Sequence, residues 1–333
     1  MKKDTKIFIA GHTGLVGSAC VRKLREAGFG NLVLRTSAEL DLRDQSRVNV
    51  FFQSEKPEMV ILAAARVGGI MANATRPAEY LYDNLQIASN VIHAAAGVDV
   101  RKLINLGSSC IYPRDTVQPI REDALLTGPL EPTNEAYAVA KIAALKLCGA
   151  MHRQYGCDFF SIMPPNLYGP GDRFDLAGSH VLPALMRKFH LAQLLARGEL
   201  RENEPERLAD HGIHPGHIVL WGTGTPMREF LHADDLASAI LILLNHGTAA
   251  EIGESINVGS GEEIRIHDLA EMMAEIAGYH GEITWDARYP DGTPRKILDS
   301  SRMEKFEWKP KITLRDGIRE IYRWYINVRK EKP

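Results

Sequence analysis

The chain has 333 residues, 45% of them hydrophobic and 25% charged, enough for one large α/β unit or two closely joined lobes. A formal net charge of −2 without dense Lys/Arg runs gives no electrostatic footprint for nucleic acid or an anionic membrane, so a small-molecule partner is expected. Cys20, Cys110, Cys148 and Cys157 are too scattered for a disulfide scaffold or a CxxC metal site, and no stretch approaches the roughly 18 apolar residues of a membrane span; a cytoplasmic chain holding no metal is expected.

Lys6 to Ala10 reads as a short buried strand that stops at Gly11-His12-Thr13-Gly14-Leu15-Val16-Gly17, and Ala19, Val21, Leu24 and Ala27 then recur at helical spacing. A second strand is expected over Asn31 to Arg35, a helix over 44–53, and a third strand, buried on both faces, over Met59 to Ala63. Lys102 to Leu106 gives a fourth strand, Glu135 to Tyr155 a long helix, and Phe159 to Met163 another strand stopped by Pro164-Pro165. This alternation predicts a Rossmann-type, doubly wound parallel sheet with right-handed crossovers.

After residue 166 the rhythm breaks at Tyr168-Gly169-Pro170-Gly171, and short strands such as Ile218 to Trp221 follow. The expected organisation is a dinucleotide-binding domain over 1–165, with a returning segment near 229–260. A smaller, intimately joined substrate lobe takes 166–228 and 261–333. Residues 197–217, charged and poor in apolar side chains, read as a surface insertion.

Gly11, Gly14 and Gly17 form a GxxGxxG turn between strand and helix, where backbone can approach a diphosphate and the helix N-terminus supplies free N–H groups. Such glycines also serve as plain turn and packing residues; the strand before them and the helix after favour the dinucleotide. At the end of the second strand, where an NAD site places an acid, stands Arg35, a cation suited to the 2′-phosphate of NADP(H). Asp41 is placed to contact the adenine.

Tyr137 and Lys141, four apart on a helix, share one face. A neighbouring ammonium is expected to lower the phenol pKa and make it a proton donor or acceptor. Ser108, at the end of a strand, completes a Ser-Tyr-Lys set. In an extended segment Ser108 and Cys110 would project to the same side, whereas Cys20, Cys148 and Cys157 read as small buried hydrophobes.

With these pieces the chain resembles the extended short-chain dehydrogenase/reductase family, and within it the GDP-L-fucose synthases. The likeness runs nearly end to end through Phe8-Ile9-Ala10-Gly11-His12, Ala64-Ala65-Arg66-Val67-Gly68-Gly69-Ile70, Gly107-Ser108-Ser109-Cys110-Ile111-Tyr112-Pro113, Glu131-Pro132-Thr133-Asn134-Glu135, Ser179-His180-Val181 and Trp221-Gly222-Thr223-Gly224-Thr225-Pro226-Met227-Arg228-Glu229-Phe230. The resemblance implies that GDP-4-keto-6-deoxy-mannose is reduced at C4 by NADPH with Tyr137, Lys141 and Ser108. It also implies that Cys110 and His180 act as the base and acid that invert C3 and C5.

It further implies cofactor contacts from Leu15, Val16, Leu62, Ala63, Ala64, Pro164, Asn166, Leu167 and His180, and substrate contacts from Asn166, Lys188, Trp221, Arg228 and Asp291. A homodimer built on the long helices is expected too. Thr13 and Ser37 stand where some relatives carry arginines for the 2′-phosphate, so the NADP preference rests on Arg35. Two other readings stay open: a reductase or epimerase for another GDP-hexose or GDP-heptose, and a non-catalytic dinucleotide sensor.

Overall fold

The computed structural model describes residues 1–176, 178–200 and 204–330. Ile7–Ala10 forms β1, every residue buried. Ile7 and Ile9 enter one apolar layer and Phe8 and Ala10 the opposite one, which is why the sequence shows an unbroken apolar run rather than an alternation. The chain continues through α1 (Leu15–Glu26), β2 (Leu32–Val33), α2 (Gln45–Glu55), β3 (Met59–Leu62), α3 (Ile70–Thr75), α4 (Pro77–Ala96), β4 (Lys102–Leu106), α5 (Glu135–Tyr155) and β5 (Phe159–Met163).

There follow β6 (Asn166–Tyr168), α6 (Val181–Ala196), α7 (Glu204–Ala209), β7 (Ile213–His214), β8 (His217–Trp221), β9 (Met227–His232), α8 (Ala233–His246), α9 (Ala249–Ile252) and β10 (Ser255–Asn257). The C-terminal part adds β11 (Glu263–Arg265), α10 (Ile266–Ala277), β12 (Glu282–Asp286), β13 (Arg295–Lys296) and α11 (Leu314–Lys330).

Six parallel strands make the main sheet in the order β10-β5-β4-β3-β1-β2. This is the expected Rossmann-like α/β architecture. Its strand order reverses at β1, which has β2 on one side and β3 on the other, so the ligand crevice lies beyond the carboxyl ends of β1 and β3. α1 and α8 cover one face; α2, α4 and α5 cover the other. A second apolar core joins α6, α10 and α11 to β7 and β8. Between the cores, β9 pairs with β6, β11 and β13, so Met227–His232 carries side chains into the space where the two halves meet.

Three expectations need correcting. The second strand is only Leu32–Val33: the Asn31 carbonyl still accepts from Ile7 N–H at 3.0 Å, but the register with β1 covers Leu32 and Val33 and leaves out Leu34 and Arg35. Within 197–217, residues 201–203 lie outside the described residues, but Leu208 and Ile213 are 7% and 1% exposed and sit in the second core. The segment therefore is not simply a surface insertion. Met303 and Trp308, assigned to the second lobe, pack into the first core against α8.

Candidate active site

The site starts where β4 ends. A Cβ on Gly107 would lie 2.3 Å from the end of the Met163 side chain and 3.0 Å from the Ile162 carbonyl, so glycine leaves room for Met163 where the chain quits the sheet. Ser108 is extended, and Ser109–Ile111 then forms a single 3-10 turn whose first amide, Ser109 N–H, donates to the Pro164 carbonyl at 3.0 Å and whose second, Cys110 N–H, donates to Ser108 Oγ at 3.2 Å. Cys110 is thus not part of an extended segment, and the i, i+2 argument fails; a serine cap links the hydroxyl and the thiol instead. The Asn134 amide donates to Cys110 Sγ at 3.7 Å.

α5 brings the phenol and the ammonium. Lys141, 6% exposed, lies with Nζ 5.7 Å from the Tyr137 ring centroid and donates to the Leu106 carbonyl at 2.7 Å. Burial pulls the Lys141 pKa down to about 8. The half-buried Tyr137 departs from expectation: burial first, then the Cys110 charge, push its phenol well above the usual range. Among the described groups it is desolvation, not the neighbouring ammonium, that sets this direction. Cys110 acts electrostatically on Tyr137, Lys141 and Arg228, which brings the thiol into the Ser108–Tyr137–Lys141 group.

The β1–α1 turn fits a diphosphate. Gly17 packs so tightly that a Cβ would lie 2.1 Å from the Gly11 oxygen, while Gly14 forms an N-cap without a side-chain bond and α1 has no acid in its first turn. The amides of Leu15, Val16 and Gly17 therefore face an uncapped helix start, and the buried His12 Nδ1 beside them has no hydrogen-bond partner. The far wall is the end of β3: Ala63 N–H donates to the Ala10 carbonyl at 3.0 Å, Leu62 is buried, and a Cβ on Gly11 would sit 2.7 Å from Ala64 N. Pro164, whose carbonyl accepts from Ser109, leads into Asn166 and Leu167 of β6.

Arg35 and Asp41 are less free than expected. Arg35 Nη2 pairs with Glu55 at 2.7 Å and Nη1 donates to the Leu34 carbonyl. Asp41 binds Arg43 through both carboxylate oxygens, at 3.0 and 2.8 Å, and those bonds hold its pKa at about 2.

On the second lobe, His180 is the N-cap residue of α6, carried by a segment that meets the loop after β3 where Gly69 N–H donates to the Gly178 carbonyl at 2.9 Å. The residue is exposed to solvent, while desolvation by the protein packed round it shifts its pKa below the ordinary value. Lys188 is buried, donates to the Val219 carbonyl at 3.1 Å and lies 5.5 Å from the Trp221 ring; burial lowers its pKa to about 8. Trp221 is 39% exposed and stacks on Tyr289 with ring centroids 4.4 Å apart.

Arg228 donates to the Asp291 carbonyl at 3.2 Å, while the Asp291 carboxylate accepts from Thr223 N and Oγ1 at 2.8 and 2.7 Å. Asn166 donates to the Glu229 carbonyl at 3.1 Å. A cleft of about 560 Å³ runs past Asp291, Thr225, Arg114, Glu131 and Thr133, large enough for part of a nucleotide sugar.

The model of the NAD dependent epimerase/dehydratase family matches residues 7–259. The chain belongs to that family. Within the epimerase/dehydratase family it is 54% identical to GDP-L-fucose synthase 1 of Arabidopsis thaliana, over 97% of its own length and 94% of the relative's. Two solved structures from Campylobacter jejuni each share 38% identity and cover 98% of this chain and 99% of theirs. A GDP-6-OMe-4-keto-L-xylo-heptose reductase gives a TM-score of 0.95, and a GDP-mannoheptose C4 reductase with NADP bound gives 0.89.

For an epimerase/dehydratase fold, sequence reasoning overlooked the cleft wall formed by Arg114, Glu131 and Thr133, and the stacking of Tyr289 on Trp221. The stretch Glu131-Pro132-Thr133-Asn134 was visible as a motif. Its contact with Cys110 was not, because it depends on how the 3-10 turn over Pro132–Asn134 packs beside the one over Ser109–Ile111.

Proposed function

We propose that this chain epimerises GDP-4-keto-6-deoxy-D-mannose at C3 and C5 and reduces the C4 ketone with NADPH, giving GDP-L-fucose. The observation that carries the reading is the Cys110 thiol in the turn capped by Ser108 Oγ and bonded by Asn134 at the start of the helix that carries Tyr137 and Lys141. Reduction alone needs a proton donor at the carbonyl oxygen; a thiol beside that donor adds a group able to take a proton from carbon. The ketone acidifies the C–H bonds at its two neighbours, so base and donor serve one substrate position. The 54% identical Arabidopsis relative bears the name of this activity.

NADPH, when bound, supplies the hydride; the uncapped α1 terminus and Gly11, Gly14, Leu15, Val16 and Gly17 would hold its diphosphate. Tyr137, with its pKa raised, keeps its proton at neutral pH and can give it to the C4 oxygen, while the Ser108 hydroxyl shares that oxygen's hydrogen bonds. Lys141 supplies positive charge next to the phenol as negative charge develops there. His180, at the N-cap of α6, is the group proposed to return a proton on the face opposite Cys110. Lys188, Arg228 and the Trp221–Tyr289 stack would take the GDP portion. In this reading residues 1–165 with the returning 229–260 segment bind NADP(H), and the second lobe binds the nucleotide sugar.

A homodimer built on α4 and α5 accompanies this proposal, supported by Tyr82 and Val139, which are 63% and 41% exposed on those helices. A second reading, a GDP-heptose C4 reductase, is favoured by the TM-score of 0.95 to such an enzyme. Competitive turnover of GDP-4-keto-6-deoxy-mannose and a GDP-4-keto-heptose with NADPH decides between them. Preference for the deoxyhexose with GDP-L-fucose as product supports the first reading, and preference for the heptose replaces it.

A further inference from the structure

Asn134 occupies the N-cap position of α5, where an asparagine side chain ordinarily accepts a hydrogen bond from an amide of the first turn. Here that bond is absent. The side-chain amide instead turns to the neighbouring turn and donates to Cys110 Sγ at 3.7 Å, leaving its Oδ1 buried without a partner. The opposite amide orientation would set an oxygen against the sulfur, which repels a thiolate; only the NH₂ end gives a bond to it.

The turn that presents Asn134 is itself fixed. Asn134 N–H donates to the Glu131 carbonyl at 3.1 Å, and the Glu131 carboxylate accepts from Thr133 Oγ1 at 3.1 Å and Thr133 N–H at 3.4 Å. Glu131 is buried. A helix start has thus given up its cap so that one amide can reach a sulfur, a local rule broken beside the reacting groups rather than at random.

We infer that Asn134 is a positioning residue for Cys110: its amide holds the sulfur in one rotamer and favours the thiolate over the thiol. The inference rests on the reading of Cys110 as the base for the sugar C–H bonds. Hydrogen bonds to a charged acceptor are stronger than those to a neutral one, so the donor stabilises the deprotonated form selectively. Among the described residues, Asn134 is the side chain that bonds this sulfur.

The test is the rate at which iodoacetamide alkylates Cys110, followed by peptide mass from pH 6 to 10 in the ligand-free protein, for wild type and Asn134→Ser. Serine is an equally good N-cap but is too short to reach the sulfur. The variant is expected to keep its melting midpoint and NADPH binding while the alkylation midpoint moves alkaline by about one unit, a rate roughly tenfold slower at pH 7. An unchanged alkylation profile overturns the inference. Should the variant not fold, the wild-type protein answers: the ¹⁵N-labelled Asn134 side-chain resonances must titrate with the thiol and stop doing so in Cys110→Ser, and resonances indifferent to that titration refute it. Neither readout uses a sugar, so a failure here leaves the proposed reaction standing, and a failure of the reaction leaves the contact standing.

Discussion

The Lys141 ammonium lies 5.7 Å from the centre of the Tyr137 ring while its hydrogen bond goes to the Leu106 carbonyl. The pair therefore shares a face of α5 without sharing a bond, and burial shifts each toward its neutral form, the phenol up and the amine down to about 8. In this state the phenol is a proton donor, and the charge beside it is the titratable partner near neutral pH.

From this follows a pH dependence. A lysine whose pKa is lowered loses its proton as pH rises through about 8, so kcat for ketone reduction is expected to be flat near neutrality and to fall above pH 8. Lys141→Arg keeps its charge across the range and should show a lower plateau with no alkaline limb. Stability carries the opposite sign: between about 8 and the ordinary lysine value of 10.5 the unfolded chain binds more protons, so stability gains with rising pH in that window. Lys141→Met should lose that gain, as urea unfolding at pH 7 and pH 10 would show.

Cofactor preference turns on the pairing of Arg35 with Glu55 at 2.7 Å. A guanidinium that contacts the 2′-phosphate must be shared with or released from that carboxylate. Arg35→Ala is expected to cost NADPH about 1.5–3 kcal/mol of binding and NADH little, a fall of roughly ten- to a hundredfold in the NADPH to NADH ratio of kcat/KM. Glu55→Gln should move the ratio severalfold the other way, and steady-state kinetics with both cofactors reads both.

The seam between the two cores depends on Glu229. Fully buried, it accepts from Leu298 N–H and Gly261 N–H at 2.9 Å each, and burial raises its pKa despite these bonds. Glu229→Ala leaves two amides without an acceptor and opens a cavity, which together should cost about 3 kcal/mol. Urea denaturation of the variant against wild type measures this.

Much of the main sheet is visible in the sequence, since strands buried on both faces must be unbroken apolar runs. Lys102–Leu106, Glu135–Tyr155 and Phe159–Met163 fall where the pattern places them. The 20-residue helix Pro77–Ala96 escaped notice although Pro77 marks its start. Its buried face includes Asp83, Asn84 and Asn90, polar residues that satisfy Arg66 and the loop at Leu42 and Arg43, so the apolar periodicity is diluted. The expectation that Lys141 lowers the Tyr137 pKa treated the two as a solvated pair; burial, which depends on what packs over them, reverses the sign.

The site was legible as residue types and not as contacts. Tyr137 and Lys141 share one face of α5 as their spacing implies, and Lys141 reaches the Leu106 carbonyl at the end of the strand that leads to Ser108. The Asn134–Cys110 bond and the Trp221–Tyr289 stack arise from turns and lobes meeting across long stretches of chain, which spacing cannot convey.

The most direct measurement is turnover of GDP-4-keto-6-deoxy-mannose with NADPH in D₂O, with the product read by NMR for wild type, Cys110→Ser and Tyr137→Phe. Wild type should yield GDP-L-fucose carrying deuterium at both C3 and C5. Cys110→Ser should lose the deuterium while still oxidising NADPH, and Tyr137→Phe should exchange deuterium into the substrate with reduction slowed about 10²–10⁴-fold. A wild-type product with no solvent deuterium at either carbon would contradict the two-inversion account.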